Sequence, residues 1–183
     1  QRFKNYSNVL TFDLDESKCN SSKNEIYECN IIFLCLPTPM NKDGSCHVDI
    51  VEQEIMSLNI WAKDSILVIK STVPPGTTAK WNSRFKNINI VFNPEFLTEI
   101  NAVEDFNNTT RIVLGGPRES TTLLKRVFRK VFSEAHIIKT GSTHAEMVKY
   151  VTNTFLATKV AYANEIYQIC EGLKLDYDKV IEY

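Results

Sequence analysis

The chain has 183 residues, 43% of them hydrophobic and 23% charged, enough for one globular domain with a real core plus an extension. Its 21 basic and 22 acidic residues leave a net charge of -1, which argues against a nucleic-acid or anionic-membrane surface built on clustered lysines and arginines. No apolar run approaches the roughly 18 residues of a membrane helix.

Residues 1–8 are polar and lack the charged-then-apolar layout of a secretory leader, and with no initiating Met the chain is expected to begin inside a longer one. The first apolar run, 9–12, reads as a strand closed by Phe12-Asp13-Leu14-Asp15. The run 31–36 is the strongest, and 66–69, 88–92, 112–114 and 135–138 follow. Runs apolar on both faces suit the strands of a buried parallel sheet. Between them lie amphipathic stretches at 49–61, 77–85 and 120–132 that predict helices. Strand alternating with helix implies a doubly wound, mostly parallel α/β sheet. After Gly141 the pattern changes. Residues 142–172 read as one long helix, with Ser142 or Thr143 as its N-cap and Gly172 as its stop, and a further helix begins near Asp176. At 100° per residue, Val148, Val151, Phe155, Tyr162 and Ile166 fall on one side of the long helix. Glu146, Lys149, Asn153 and Asn164 fall on another side, within about 60° of one another.

Cysteines stand at 19, 29, 35, 46 and 170. An odd count with no CxxC pair and no leader points to a reducing compartment, and hence a cytoplasmic setting. Cys35, inside the strongest apolar run, is read as a core residue. His47, His136 and His144 share no ligand-type spacing with the cysteines, so no metal site is expected.

Several segments carry candidate chemistry, each with an ordinary structural explanation beside it. Asp13 closes the first expected strand, where an acid commonly bonds a ribose hydroxyl, and it is equally a turn or helix-cap Asp. Leu36-Pro37-Thr38-Pro39 reads as a strand followed by a Pro-rich turn. Lys70-Ser71-Thr72-Val73-Pro74-Pro75-Gly76-Thr77 follows a strand and opens a helix, so its free backbone donors can face an anion or a cofactor amide. Asn93-Pro94-Glu95-Phe96-Leu97-Thr98-Glu99 places two carboxylates after the run 88–92. Glu95 and Glu99 are then either acid–base groups at the carboxyl edge of the sheet or exposed acids near a helix start. Lys149 and Asn153, at i and i+4, share a helix face. A cation and an amide together can stabilise an oxyanion, although a solvated polar stripe has the same pattern.

In their order along the chain, the segments from Lys70, from Asn93 and from Ala145-Glu146-Met147-Val148-Lys149 to Asn153 resemble the UDP-glucose/GDP-mannose dehydrogenases. The resemblance implies a Rossmann-like NAD-binding domain at 1–140, its N-terminal part reduced, followed at 141–183 by the start of a central helical dimerisation domain. It implies oxidation of a nucleotide sugar's primary alcohol to a carboxylate in two hydride transfers to NAD, with UDP-glucose as expected substrate and UDP-glucuronate as product. The same motifs suit siblings acting on GDP-mannose or UDP-N-acetyl sugars, and a non-catalytic remnant is the rival of another class. By resemblance Asp13 bonds the ribose, Thr38 faces the cofactor edge, and Thr72 contacts the nicotinamide region and a catalytic water. Glu99 stands beside the nicotinamide, Glu95 is the acid–base residue of the hydrolytic step acting through water, and Lys149 with Asn153 is the catalytic pair. The family's cysteine nucleophile, which carries a thiohemiacetal and then a thioester, is expected beyond Tyr183, and Cys170 is read as structural. The family's GxGxxG turn does not occur in the sequence. The long helix is expected to pair with its counterpart in a homodimer.

Overall fold

The computed structural model describes residues 2–62, 64–98 and 100–183. In chain order the elements are α1 (Lys23–Tyr27), β1 (Ile31–Leu34), α2 (Asp49–Trp61), β2 (Ile66–Ile69), α3 (Thr77–Arg84), β3 (Asn89–Phe92), α4 (Ala102–Asn107), β4 (Arg111–Gly115), α5 (Arg118–Val131), β5 (His136–Thr140), α6 (Ser142–Leu173) and α7 (Tyr177–Glu182). The chain divides into two compact units, one running to Met147 and one covering Val148–Tyr183.

In the first unit the five strands form one sheet in chain order. β1, β2 and β3 run parallel, with Ile31 opposite Ile66 and Ile66 opposite Asn89. β4 turns antiparallel to β3 through the single pair Phe92–Gly115, and β5 lies parallel to β4. One face of the sheet, carrying Ile32, Leu34, Leu67, Ile69, Ile90 and Phe92, is covered by Val51, Ile55 and Leu58 of α2 and by Trp81 of α3. The other face, carrying Ile66, Val68, Val91, Ile112 and Leu114, is covered by Leu124, Phe128 and Val131 of α5. Each helical triplet recurs at i, i+4 and i+7, the period that keeps side chains on one helix face. Asp49 and Glu52 in the first turn of α2, and Arg129 and Lys130 in the last turn of α5, complement the helix dipoles.

Three readings from sequence need correction. The run 9–12 is no strand. Its backbone is satisfied locally: Thr11 N–H donates to Asn20 Oδ1 (2.6 Å), Asn20 Nδ2 donates to the Val9 carbonyl (3.0 Å), and Ser21 Oγ donates to the Thr11 carbonyl (3.0 Å). Burial on both faces holds throughout only for β2; β1 alternates and β5 buries Ile137 alone, as suits strands flanked on one side. That alternation leaves Cys35 exposed and not in the core. Finally, α6 runs past Gly172 to Leu173, and its stop is Lys174 in the left-handed region at φ 57°. Lys174 N–H donates to the Glu171 carbonyl and Leu175 N–H to the Cys170 carbonyl, the paired bonds of a Schellman cap.

The second unit is helical. Of the apolar stripe on α6, Val151, Phe155 and Tyr162 are 58%, 65% and 68% exposed, so the chain by itself leaves that face uncovered. No helix among the described residues is long and apolar enough to cross a membrane.

Candidate functional site

Three loops leave the carboxyl ends of β1, β2 and β3, the edge at which open α/β sheets take ligands. The first two are stitched together. Ser71 Oγ accepts from the Leu36 N–H (3.0 Å) and donates to the Leu36 carbonyl (2.6 Å). Thr38 Oγ1 donates to the Thr72 carbonyl (2.8 Å), and Cys46 Sγ approaches the same oxygen at 3.8 Å. The structure therefore brings Thr38 and Thr72 together, with the Thr38 proton committed to holding the loop.

The third loop joins them through Lys70, the first residue of the segment that carries Thr72. Its side chain is mostly buried, and Nζ donates to Asn93 Oδ1 (3.1 Å) and lies 3.7 Å from Glu95 Oε2. Asn93 is buried and donates through Nδ2 to the Val113 carbonyl (2.8 Å), which fixes its amide with the oxygen toward Lys70. Glu95 thus presents a half-exposed carboxylate beside a held ammonium. The pattern Lys-x₂₂-Asn-x-Glu across two strand ends was readable only once β2 and β3 were known to be neighbours. Beyond Glu95 the loop borders a cleft of about 520 Å³, walled by Phe106, Phe128 and Phe132 and edged by Arg111. The Arg111 guanidinium stacks 4.4 Å over the Phe96 ring. Asp105 accepts from both N–H and Oγ1 of Thr98, and these bonds hold its carboxyl below the ordinary carboxylate range. Glu99 lies outside the described residues.

Cys35 follows β1 at the same edge. Crowding around the sulfur pushes its thiol pKa up; Lys70 works against that shift and Glu95 adds to it. A thiol so held is a poor nucleophile at neutral pH. Asp13 sits in an exposed turn, its Oδ1 accepting from the Asp15 N–H (2.9 Å), with no strand behind it. Lys149 and Asn153 lie in the second unit, on α6, Lys149 half-buried and Asn153 exposed. Among the described residues no group of three metal-type ligands converges.

A buried acid completes the first unit's polar architecture. Glu146, in the second turn of α6, is fully buried, and its two carboxylate oxygens accept from Gly76 N–H (2.6 Å) and Thr78 N–H (2.7 Å). α3 has no capping side chain of its own, because its N-cap is Gly76 at φ 96°.

A helix-covered, mostly parallel sheet with polar loops joined at the carboxyl ends of its parallel strands is a Rossmann-like nucleotide-binding architecture. Residues 7–136 match the NAD binding domain of the UDP-glucose/GDP-mannose dehydrogenase family, and residues 143–183 match that family's central domain. The chain belongs to this family, whose members are NAD-dependent nucleotide-sugar dehydrogenases. It is 37% identical over 164 residues to a UDP-glucose 6-dehydrogenase of Rickettsia prowazekii, covering 84% of this chain and 37% of that protein. Among solved structures it resembles a UDP-glucose dehydrogenase of Pyrobaculum islandicum (32% identity, TM-score 0.77, 88% of this chain and 40% of that one). It also resembles a ternary complex of GDP-mannose dehydrogenase from Pseudomonas aeruginosa (27% identity, TM-score 0.76, 86% and 39%). The chain thus spans well under half the length of these relatives.

Proposed function

We propose that this protein oxidises the primary alcohol of UDP-glucose to the carboxylate of UDP-glucuronate. The observation that carries the reading is the constellation at the carboxyl edge: the Thr38 and Thr72 loops tied to each other, and Glu95 held beside Lys70 and Asn93. NAD+ suits this edge. The loops after β1 and β2 are tied into one rim and already spend Thr38 and Ser71 on each other, which leaves an ordered surface for a planar ring. When bound, NAD+ supplies the hydride acceptor for both oxidations.

Within that reading Thr38 and Thr72 shape the nicotinamide end, Glu99 borders it, and Asp13 takes the ribose hydroxyls. Glu95 relays a proton through water in the hydrolytic step, with Lys70 fixing the carboxylate's position and charge. Lys149 and Asn153, a turn apart on α6, supply a cation and an amide donor to the oxyanion of the reacting carbon. Neither Cys170, which is buried, nor Cys35, whose thiol pKa is pushed up by its crowded surroundings, is assigned as the nucleophile. The uncovered apolar stripe of α6 supports homodimerisation through that helix, and the five free thiols fit a cytoplasmic setting.

A sibling substrate is the second reading, favoured by the likeness to the GDP-mannose enzyme; a non-catalytic remnant is the third. The test is NADH formation by the full-length protein, in which the cysteine nucleophile is expected beyond Tyr183, with NAD+ and, in turn, UDP-glucose, GDP-mannose and UDP-N-acetyl sugars. Two NADH per UDP-glucose is the expected result, because an alcohol taken to an acid loses four electrons. Turnover confined to another sugar would replace the substrate assignment. A folded protein silent with all of them would overturn the catalytic reading.

A further inference from the structure

Glu146 belongs to none of the roles above, yet among the described residues it is the one carboxylate the first unit buries completely. Taking a carboxylate out of water is costly unless both oxygens are well bonded, and here both are, to backbone N–H groups at 2.6 and 2.7 Å. A helix as short as α3 needs no such device: a Ser, Thr or Asp at its N-cap would serve at the surface. The position holds Gly76 instead, at φ 96°, a backbone that admits no capping side chain without strain. The cap is therefore delivered from α6. The acceptor charge sits at the positive end of the α3 dipole, which strengthens both bonds.

The placement says what the cap joins. Gly76 ends the loop that begins at Lys70 and carries Thr72. The first turn of α6 is also pressed against β4: a Cβ built on Gly115 would lie 2.4 Å from Ala145 Cβ and 2.9 Å from Ser142 Cα. Two contacts on different sides of one turn fix both the rotation and the axial position of the helix base. Three residues on along the same helix comes Lys149.

We propose that Glu146 is a positioning residue, its carboxylate tying the loop that carries Thr72 to the base of the helix that carries Lys149. This role rests on the dehydrogenase reading. Its test is the pair Glu146→Gln and Glu146→Asp, assayed for kcat, NAD+ affinity and the isotope effect with UDP-glucose deuterated at C6. Misplacing a reacting group by about 1 Å costs on the order of 10²-fold in rate, so Glu146→Gln is expected to lose about that in kcat. Its NAD+ dissociation constant should stay within about twofold, its isotope effect should rise as hydride transfer becomes limiting, and Glu146→Asp should recover part of the rate. If Glu146→Gln fails to fold, Glu146→Asp carries the same measurements. Folded variants with unchanged kcat and isotope effect would reduce Glu146 to a structural cap and overturn the proposal. Native-state hydrogen exchange separates the two failures. Fast exchange at the Gly76 and Thr78 amides would overturn the tie alone, whereas a native protein that makes no NADH would overturn the dehydrogenase reading and the positioning role with it.

Discussion

Replacing Gly115 by Ala tests how tightly the base of α6 is seated. The backbone of Gly115 is ordinary, so conformational strain plays no part. The new Cβ would stand 2.4 Å from Ala145 Cβ, 2.9 Å from Ser142 Cα and 3.1 Å from the Gly141 carbonyl oxygen. Two of these three atoms are backbone, and Ala145 has no rotamer to change. The first turn of α6 must therefore retreat by about 1 Å to restore an ordinary contact. That retreat stretches the Glu146 bonds to Gly76 and Thr78 beyond hydrogen-bonding range. Overpacking costs about 1–3 kcal/mol, and losing one charge-assisted bond adds about 1.5–3 kcal/mol. At roughly 2–4 °C per kcal/mol for a chain of this size, the melting temperature should fall by about 10 °C. Gly172→Ala is the matched control. Nothing lies within 4 Å of the added carbon, and the site is helical, so Ala should gain a few tenths of a kcal/mol. Thermal melts followed by circular dichroism read both. If Gly115→Ala melts within about 2 °C of the parent, or shifts in the same direction as Gly172→Ala, the seating of α6 on β4 is wrong.

Other perturbations follow from the same geometry. Glu95→Gln and Lys149→Ala should each lower NADH production by about 10²-fold or more while leaving circular dichroism unchanged, and unaltered turnover in both would remove them from the site. Lys174→Gly relieves a left-handed residue at the end of α6 and should stabilise by about 0.5–1 kcal/mol, read as a raised urea midpoint; a lowered midpoint would refute the cap. The bonds from Thr98 depress the Asp105 pKa, so its contribution to stability is complete above the ordinary carboxylate value and is lost as the pH falls through the folded one. Asp105→Asn should flatten that acid limb of the stability profile, and a carboxyl carbon that titrates at its ordinary value by NMR would contradict the bonding.

The sheet was legible where side-chain pattern alone sets structure. Strands at Ile66–Ile69 and Asn89–Phe92 and the helix Asp49–Trp61 are bounded by apolar periodicity and turn residues, and the chain obeys both. The run 9–12 misled because β-branched and aromatic content signals a strand only when a neighbour supplies the ladder; here Asn20 and Ser21 satisfy the backbone first. Cys35 misled for a related reason. Its run looks buried on both sides, but Phe33 and Cys35 point away from the face that α2 and α3 cover. The site was half legible. Local order along the chain marked Thr72, Glu95 and Lys149 as candidates, whereas Lys70 bonded to Asn93, and Glu146 bonded to Gly76 and Thr78, are partnerships across 23 and about 70 residues that no window along the sequence contains.

The agreement between strand order and chain order has a consequence for how the protein is made. During synthesis β2 emerges onto β1, β3 onto β2, and β4 and β5 in turn, so each strand meets its partner as it leaves the ribosome and no slot need be kept open for a later arrival. The costly long loop closures that slow parallel sheets are replaced by a succession of short ones. The exception is the tie from Glu146 back to α3, which must wait for α6. Growth of the sheet is therefore expected to be vectorial and early, with a later locking step once α6 has been synthesised.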